Sequence, residues 1–373
     1  MVIKTDNKNK LILRPCWAEV DLSKISKNLQ KIAKEIAPSK TMFVVKCNGH
    51  GHGAYEVSYE AQKSGACDFL GVASIEEGLY LREKGINLPI LVLGSIYPFE
   101  AFEYAIKNNL SITIASLGSA QEVVKISDKL GKSAKCHIKI DTGMGRIGTR
   151  AGGILQIAKT LKQGKHINLE GIYSHFSCAH SDEKYTKHQT TIFDIVVDEC
   201  KKEGIDFKIK HLANSYGMLN FPASRLDMVR TGLAVYGVMK NYEDALQWKS
   251  KIVFLKNMPK GSFIGYDNTY KCDSEKKIAT IPVGYGDGYF RRLSNQAEVL
   301  INGQRCKIVG NISMDMMTID VSHLKEVNIG DEVVLIGKSK NNKIPVSELA
   351  NILNTNSYSI ICNIGIRVPR VYK

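Results

Sequence analysis

Residues 41–74 read TMFVVKCNGHGHGAYEVSYEAQKSGACDFLGVAS, and this stretch decides the fold. Two short apolar runs, TMFVVK at 41–46 and DFLGVAS at 68–74, flank the segment AYEVSYEAQKSG, which has a helical pattern and ends in glycine. A strand, a helix and a second strand in this order predict a β-α-β unit whose two strands lie parallel. Lys46 ends the first strand, and a glycine-rich turn with two histidines follows it at once.

The same alternation continues along the first two-thirds of the chain. Six further strand-like runs are PILVLGS (89–95), SITIAS (111–116), KCHIKID (135–141), LEGIYSHF (169–176), FKIKHL (207–212) and DMVR (227–230). Eight strands that alternate with helices predict the α/β class and a (β/α)8 TIM barrel rather than an open doubly wound sheet. Because no GxGxxG follows the first strand, a dinucleotide-binding fold is disfavoured.

After about residue 245 the pattern changes to short β-rich runs separated by turn residues, with one helix-like segment, VSELANIL, before the tail. We therefore predict a barrel domain over residues 1–245 and a C-terminal all-β domain over residues 246–373. An early run, LILRPCWAEVDL, precedes the first barrel strand, and its residues 11–20 are candidates for pairing with the β domain.

Composition excludes several classes of protein. The chain has 373 residues and is 44% hydrophobic, yet its longest apolar runs, such as LPILVLG at 88–94, are too short to cross a bilayer. The first ten residues lack the apolar stretch of a signal peptide, and nine cysteines without a CxxC pair suit a reducing compartment. We expect a cytoplasmic protein with no membrane partner.

The net charge of +14 comes from dispersed lysines with acidic residues between them. No basic stripe with interleaved aromatic residues is present, which argues against nucleic acid as a partner. An anionic small ligand remains compatible with this charge. His50 and His52 with Cys47 form a poor zinc-ligand set, so we expect no metal.

Polar residues gather at the strand ends, where the chemistry of such barrels is located. They are Lys46 after the first strand, Lys139, Asp141 and Arg146 at the fifth, His175 at the sixth, Asn214 and Ser215 after the seventh, and Arg230 at the eighth. A purely structural barrel has no need for this convergence. The pattern predicts a basic, polar site at one mouth of the barrel.

Phosphate in these barrels is often bound by the loops after strands seven and eight. Here Ser215 offers a hydroxyl group, and Gly232 and Leu233 offer backbone N–H groups. A phosphate at that point and a lysine at the first strand suggest pyridoxal 5'-phosphate, whose aldehyde forms a Schiff base with lysine.

Lys139 raises a separate question. Ile138 and Ile140 face one side of the strand, so Lys139 faces the other, which is the barrel interior if the isoleucines pack against helices. A buried lone ammonium group must either pair with an acid such as Asp141 or lose its charge. The residue pattern alone leaves both outcomes open.

The chain resembles alanine racemase along nearly its whole length. The ordered motifs are WAEVDL (17–22), VVKCNGHGHG (44–53), HIKIDTGMGRIG (137–148), YSHF (173–176), HLANS (211–215), VRTGLAVYG (229–237), IGYDNTY (264–270), IPVGYGDGY (281–289), VGNISMDM (309–316) and NSYSIICNIGIRVPRVY (356–372). The resemblance implies a pyridoxal-phosphate enzyme that interconverts L- and D-alanine for peptidoglycan, and a head-to-tail homodimer in which the β domain of one subunit completes the other's site.

The resemblance also implies roles for individual residues. Lys46 and Tyr266 would be the two catalytic bases on opposite faces of the substrate, Tyr266 coming from the partner subunit. The cofactor would be bound by Lys46, His50, Arg146, His175, Asn214, Ser215, Arg230, Gly232, Leu233 and Tyr358. The substrate would contact Arg146, Met314 and Tyr285, and Lys139 would be carbamylated and orient Arg146.

Three positions depart from the family's pattern. His50 stands where a tyrosine usually binds phosphate, Gly49 replaces an alanine, and Asn311 stands where arginine is frequent. We predict that His50 donates an N–H to the phosphate in place of the tyrosine. The alternatives are a racemase for another small amino acid such as serine, a decarboxylase of this architecture, and a non-catalytic cofactor-binding barrel. Tyr358 and the Lys139–Arg146 pair favour alanine.

Overall fold

The computed structural model describes residues 3–4 and 11–373, which form two compact units. The first unit, termed here the barrel unit, comprises residues 25–49 and 54–235. The second, termed the β unit, comprises the described residues up to 24, the short segment 50–53, and residues 236–373. The glycine-rich turn after Lys46 therefore contributes to both units.

Eight parallel strands form the centre of the barrel unit. In chain order they are Lys40–Val44, Phe69–Val72, Ile90–Val92, Ser111–Ile114, Ala134–Lys139, Ile167–Tyr173, Ile209–His211 and Met228–Thr231. The eighth strand pairs in parallel with the first, and backbone hydrogen bonds from Asp227 to Lys210 and from Arg230 to Ala213 link it to the seventh. The predicted (β/α)8 barrel is confirmed, including its short eighth strand.

Helices follow the strands as the apolar periodicity predicts. They are Leu22–Ile36, Ala54–Ser64, Ile75–Glu83, Phe102–Lys107, Leu117–Leu130, Ala151–Gln163, Glu183–Lys202 and Ser215–Asn220, with 3-10 turns at Phe99–Ala101 and Pro222–Ser224. Ile25, Leu29 and Ile32 lie on the buried face of the first helix. The helix Leu117–Leu130 begins at a capping box on Ser116 and ends at the left-handed Gly131.

Apolar side chains fill part of the barrel interior, which is therefore a packed core rather than a pore. This interior cluster consists of Met42, Phe69, Leu91, Tyr173, Ile209 and Met228. Beside it, the interior also contains buried polar and charged side chains, namely Thr113, His137, Lys139, His211 and Arg230. Such groups are costly to bury unless they are hydrogen-bonded, so their contacts determine what the barrel can do.

The β unit is built on a larger sheet. Its strands lie in the order Gln304–Lys307, Glu298–Ile301, Glu332–Ser339, Leu246–Lys251, Cys16–Val20 and Arg370–Tyr372, with Asn342–Ile344 paired to Glu332–Ser339. The strand Cys16–Val20 thus pairs within this unit, between an antiparallel and a parallel neighbour. Trp248 is 1% exposed and packs in the core below the sheet.

Smaller elements complete the β unit. They are a three-stranded sheet of Phe254–Met258, Lys276–Ile281 and Met317–Asp320, the hairpins Phe263–Ile264 with Tyr270–Lys271 and Ile3–Lys4 with Leu11–Ile12, the helices Val346–Ile352 and Ser357–Cys362, and 3-10 turns at Tyr266–Asn268, Tyr285–Asp287 and Arg291–Leu293. The predicted VSELANIL helix is present, whereas the helix Ser357–Cys362 was not predicted. In the part of the chain that the structure describes, no helix combines the length and apolar character needed to span a bilayer.

Candidate active site

Lys46 projects from an unusual turn at the end of the first barrel strand. The next three residues, Cys47, Asn48 and Gly49, all have left-handed backbone angles, with φ of 54°, 51° and 60°. Left-handed conformations of non-glycine residues are strained and persist only where surrounding contacts enforce them. A strained turn directly after a strand end is typical of a functional site.

Two side chains stabilise this turn. The Glu77 carboxylate accepts hydrogen bonds from the backbone N–H of Cys47 and of Ala73, each at 2.7 Å. Asn48 accepts at 2.9 Å from the backbone N–H of Ala54, which begins the next helix. Sequence reasoning missed Glu77. The spacing of Ser74 and Glu77 is that of a helix N-terminus, and Ser74 does accept from the Glu77 N–H.

Lys139 is the last residue of the fifth barrel strand and is 5% exposed. Its Nζ lies 4.2 Å from the centre of the Tyr173 ring, and among the described residues no carboxylate lies within 4 Å of it. Burial, followed by the nearby charges of Arg230 and Arg146, holds the pKa of the Lys139 amine well below its usual range. Lys139 therefore favours its neutral form.

Asp141 does not form the ion pair with Lys139 that the sequence left open. Its carboxylate oxygen accepts hydrogen bonds from the backbone N–H groups of Gly143 and Gly145, each at 3.0 Å. These bonds fold the loop that leads to Arg146, whose side chain is exposed. The acid thus shapes the loop, while the amine of Lys139 stays beside cationic groups.

Arg230 lies within the eighth strand and is 4% exposed. One terminal nitrogen lies 2.9 Å from Nδ1 of His211, and the other donates to the carbonyl oxygens of Ser174 at 2.6 Å and Leu212 at 3.0 Å. Burial lowers the pKa of the guanidinium to about 10, which leaves it charged at neutral pH. All of these acceptors are neutral, so among the described residues no acid contacts the positive charge.

His175 follows the sixth strand and lies beside Arg230. Its Nδ1 is 3.3 Å from the second terminal nitrogen of the guanidinium. Burial, followed by the charge of Arg230 and those of Arg146 and Lys46, holds the pKa of His175 well below its usual range. Since arginine can only donate, Nδ1 accepts, and a neutral His175 carries its proton on Nε2. Because these residues act on the pKa of His175, they must lie near it at the ends of the barrel strands.

Ser215 and Gly232 meet at the loops after strands seven and eight. The Ser215 hydroxyl accepts from the Gly232 N–H at 3.1 Å and lies 3.2 Å from the Thr231 hydroxyl. Asn214 caps the helix Ser215–Asn220 by accepting from the Gly217 N–H at 2.9 Å. Leu233 follows directly and is half-buried. The predicted phosphate-binding residues thus lie on adjoining loops.

Tyr266 of the β unit is 68% exposed on a sharply turned loop. Asn311 donates from its side-chain amide to the Tyr266 carbonyl oxygen at 3.0 Å and to Asp267 at 2.9 Å. Arg291 contacts the same Asp267 oxygen at 3.0 Å. Asn311, one of the three departures from the family pattern, therefore helps to hold the turn that presents Tyr266.

Tyr285 and Met314 lie on two loops joined by backbone hydrogen bonds. The N–H of Tyr285 donates to Ser313 at 3.1 Å, and the N–H of Gly286 donates to Met314 at 2.9 Å. Beneath them the fully buried Asp287 carboxylate contacts the guanidinium groups of Arg14 and Arg367. Arg367 also contacts Asp315 at 2.6 Å. Arg367 therefore acts as a structural ion-pair residue that links Asp287 and Asp315.

His50 is 3% exposed and packs in an aromatic cluster of the β unit. Its ring centre lies 4.6 Å from that of Tyr358 and 5.0 Å from that of Tyr236. The turn beside it requires glycine, because a Cβ on Gly51, whose φ is +82°, would lie 2.2 Å from the Ile361 carbonyl oxygen. Tyr358 stands on the unpredicted helix Ser357–Cys362, capped by Asn356.

A parallel barrel with a lysine and further basic side chains at its strand ends is typical of an enzyme, because the active sites of such barrels lie at that end. Its family follows from three kinds of similarity. Residues 20–240 match the family described as alanine racemase, N-terminal domain, and residues 245–372 match alanine racemase, C-terminal domain. The chain therefore belongs to the alanine racemase family.

Similar individual proteins agree with this assignment. The alanine racemase of Halothermothrix orenii is 41% identical over 98% of both chains, and that of Symbiobacterium thermophilum is 40% identical over 96% of this chain and 97% of its own. The structure of alanine racemase from Clostridium difficile 630 superposes with a TM-score of 0.92 at 36% identity, covering 97% of this chain and 96% of the other.

Proposed function

We propose that the protein is an isomerase that interconverts L-alanine and D-alanine with bound pyridoxal 5'-phosphate, and thereby supplies D-alanine for peptidoglycan. The observation that carries the proposal is the combination of Lys46 on a strained strand-end turn with buried Arg230, beside which Lys139 and His175 have depressed pKa values. Membership of the alanine racemase family supports the reaction and the substrate.

The residues present fit this cofactor. The positive charge of buried Arg230 suits a phosphorylated anion, and the Ser215 hydroxyl, which accepts from the Gly232 N–H, keeps a hydrogen that can be donated to the phosphate group. Among the described residues, no group of three or more histidines, cysteines or acids could hold a metal ion. The residues that would hold the cofactor are Lys46, His50, Arg146, His175, Asn214, Ser215, Arg230, Gly232, Leu233 and Tyr358.

When bound, pyridoxal phosphate supplies an aldehyde that a lysine amine can capture and a conjugated ring that withdraws electrons from the α-carbon of an amino acid. The side chains of the protein must then move protons. Lys46 would exchange the α-proton on one face of the substrate, and Tyr266 from the β unit of a second subunit would do so on the other. Two bases avoid the need for one group to reach both faces of a planar carbon.

His175 would assist Tyr266. With its Nδ1 accepting from Arg230, the neutral imidazole has its Nε2–H free to donate. A donor directed at a phenol oxygen favours the phenolate, which is the form that can accept a proton. The charge of Arg230 acts on His175 in the same direction, because it keeps the imidazole neutral.

Arg230 would lie against the pyridine nitrogen of the cofactor. An acid at that position would keep the nitrogen protonated, whereas arginine can only donate and disfavours an additional proton there. Weaker electron withdrawal by the ring limits side reactions such as transamination. Because the neutral contacts of Arg230 leave its charge uncompensated, they are consistent with this role.

Arg146, the Met314 N–H and Tyr285 would contact the substrate, and Tyr285 and Tyr358 would restrict the space for its side chain. Lys139 would be carbamylated: its neutral amine attacks carbon dioxide, a C–N bond forms, and the amine proton leaves to solvent. The depressed pKa of the Lys139 amine supports this reaction because only the neutral form is nucleophilic. The resulting anion would pair with Arg146.

A racemisation assay over a panel of amino acids tests the proposed function. We expect conversion of both alanine isomers at the highest rate, with serine and bulkier amino acids slower. Borohydride reduction followed by peptide mapping should fix the cofactor to Lys46, and Lys46→Ala should abolish that label. Faster racemisation of another amino acid, decarboxylation, or label on a different lysine would overturn the corresponding part of the proposal.

A further inference from the structure

A continuous hydrogen-bonded chain leads away from Arg230 through the barrel interior. Its guanidinium lies 2.9 Å from Nδ1 of His211, whose Nε2 lies 3.0 Å from Nδ1 of His137. The Nε2 of His137 lies 3.0 Å from a carboxylate oxygen of Glu170, which also accepts from the Ser111 hydroxyl at 2.7 Å. This relay joins residues on five of the eight strands.

The backbone is adapted to this relay at two points. Cys136 pairs with Leu169 and His137 pairs with Gly171, so Glu170 is the extra residue of a β-bulge in the sixth strand. A bulge changes the face to which a side chain points, and here it brings Glu170 within reach of His137. Gly171 makes room for the imidazole, since a Cβ there would lie 2.5 Å from Nδ1 of His137.

The residues at the two ends of the relay, Arg230 and Glu170, determine which ring nitrogens of His211 and His137 carry hydrogen. Arginine can only donate, so Nδ1 of His211 accepts and its Nε2 carries the hydrogen. Nδ1 of His137 must then accept, and its Nε2–H donates to Glu170. Burial would raise the pKa of Glu170, but the hydrogen bonds from His137 and the Ser111 hydroxyl lower it overall, which favours the accepting carboxylate.

We propose that His137 and Glu170 are positioning residues for Arg230. The two-imidazole relay fixes His211 as an acceptor and so directs one terminal nitrogen of Arg230 toward it. The other terminal nitrogen is thereby held toward His175. Glu170 also supplies the negative end of a relay whose positive end is a guanidinium that no acid contacts in the described part of the chain. This role in catalysis rests on the proposed function, whereas the proton positions do not.

Nitrogen-15 NMR of histidine side chains in the full-length protein tests the proton positions without any assay of activity. His137 and His211 should both be neutral with hydrogen on Nε2 in the native protein. Glu170→Gln removes the charge and can donate as well as accept, so the reversed tautomer should become populated. His137→Phe removes the acceptor of His211 while keeping an aromatic ring, and should mix the His211 tautomers.

Kinetics test the positioning role. Both variants should lower kcat for alanine by roughly tenfold, because small displacements of a catalytic group are costly, while KM changes little. Glu170→Asp, which keeps the charge, should recover part of the loss. Cys136→Ala is the matched control, because Cys136 precedes His137 and is equally buried but lies outside the relay.

Native tautomers and native kinetic constants in folded Glu170→Gln would overturn the proposal, and so would altered tautomers with unchanged kcat. If His137→Phe fails to fold, Glu170→Gln decides alone. A native protein that does not racemise alanine would refute the proposed function and the catalytic role together. Histidine tautomers as predicted would then still establish the relay.

Discussion

Two buried charges show how differently the two units treat ionised side chains. In the β unit, two guanidinium groups contact the fully buried Asp287 carboxylate. In the barrel unit, the buried Arg230 guanidinium forms hydrogen bonds with imidazole nitrogens and carbonyl oxygens and lies 5.2 Å from the centre of the Tyr173 ring. The β unit neutralises its charge to hold two loops together. The barrel leaves Arg230 charged where the proposed anionic cofactor would bind. Arginine thus supports the fold in the β unit, whereas in the barrel unit it would take part in the chemistry.

The largest effect should come from placing an acid in the barrel cluster. Arg230→Glu should lower the alanine racemisation rate by roughly a thousandfold, since it removes an oriented donor and reverses the local charge. It should also raise the ratio of transamination to racemisation. Both rates can be followed in one assay of alanine isomers and pyruvate.

Lys165→Glu makes the same type of charge reversal at an exposed position of the barrel unit and serves as the control. It should leave racemisation unchanged. Equal losses in the two variants would mean that net charge, rather than the position of Arg230, determines the rate.

Asp287→Ala should destabilise the β unit by about 2 kcal/mol, because the buried N–H of Gly284 loses its acceptor and Arg14 and Arg367 lose a shared ion-pair partner. Urea unfolding measures this free energy. KM for alanine should also rise, since the Tyr285 and Met314 loops lose their support. Glu332→Ala breaks a more exposed pair with Lys249 and should cost less than about 1 kcal/mol. Similar losses in the free energy of unfolding for Asp287→Ala and Glu332→Ala would mean that the buried Asp287 carboxylate supports the β unit no more than an exposed ion pair does.

Lys139→Met should increase the free energy of unfolding at neutral pH in buffer depleted of carbon dioxide. The folded state depresses the pKa of the Lys139 amine, so protonation of Lys139 lowers the free energy of unfolding. This penalty has its full value below the folded-state pKa. The penalty falls as pH rises toward the ordinary lysine range, where the unfolded chain also loses the proton. The difference between the proteins should therefore shrink at high pH.

If Lys139 is carbamylated, bicarbonate should reduce the difference in free energy of unfolding between Lys139→Met and the native protein at neutral pH. Lys165→Met, at an exposed position, should show neither dependence. A Lys139→Met protein that is less stable than the native protein at every pH would mean that Lys139 is charged and well paired.

The smallest effect is expected at His50. If its imidazole donates to phosphate, cofactor affinity should vary between about pH 5 and 8, and His50→Tyr should flatten that dependence. Equilibrium titration of the cofactor-free protein measures the affinity at each pH. The same profile in both proteins would indicate that His50 only packs against Tyr358 and Tyr236.

The sequence predicted the barrel because its strands are continuous apolar runs bounded by turn residues, although this signal was weakest for the short run DMVR. It did not predict the helix Ser357–Cys362, which is too short to show a helical period, although Asn356 and Ser359 have the spacing of an N-cap. The strand Leu246–Lys251 lies at the start of the expected β-rich region but was not identified individually.

At the site, strand-end positions indicated Lys46, Lys139, His175 and Arg230, because parallel strands bring their carboxyl ends to one edge. Tyr266 was named only through the family resemblance, since an exposed tyrosine on a turn carries no signal of its own. The relay was not predicted either. Its members lie far apart in the chain, and the β-bulge that turns Glu170 inward leaves no mark in the apolar pattern.

The central claim is the proposed two-base reaction, in which Lys46 of one subunit and Tyr266 of a second subunit act on opposite faces of the substrate, and Tyr266→Phe tests it most directly. Exchange of the α-proton with deuterated solvent should be measured separately from L-alanine and D-alanine. The account predicts a much larger loss of exchange from L-alanine, because Lys46 remains to serve the other isomer. Equal loss from both isomers, or no loss from either, would contradict it.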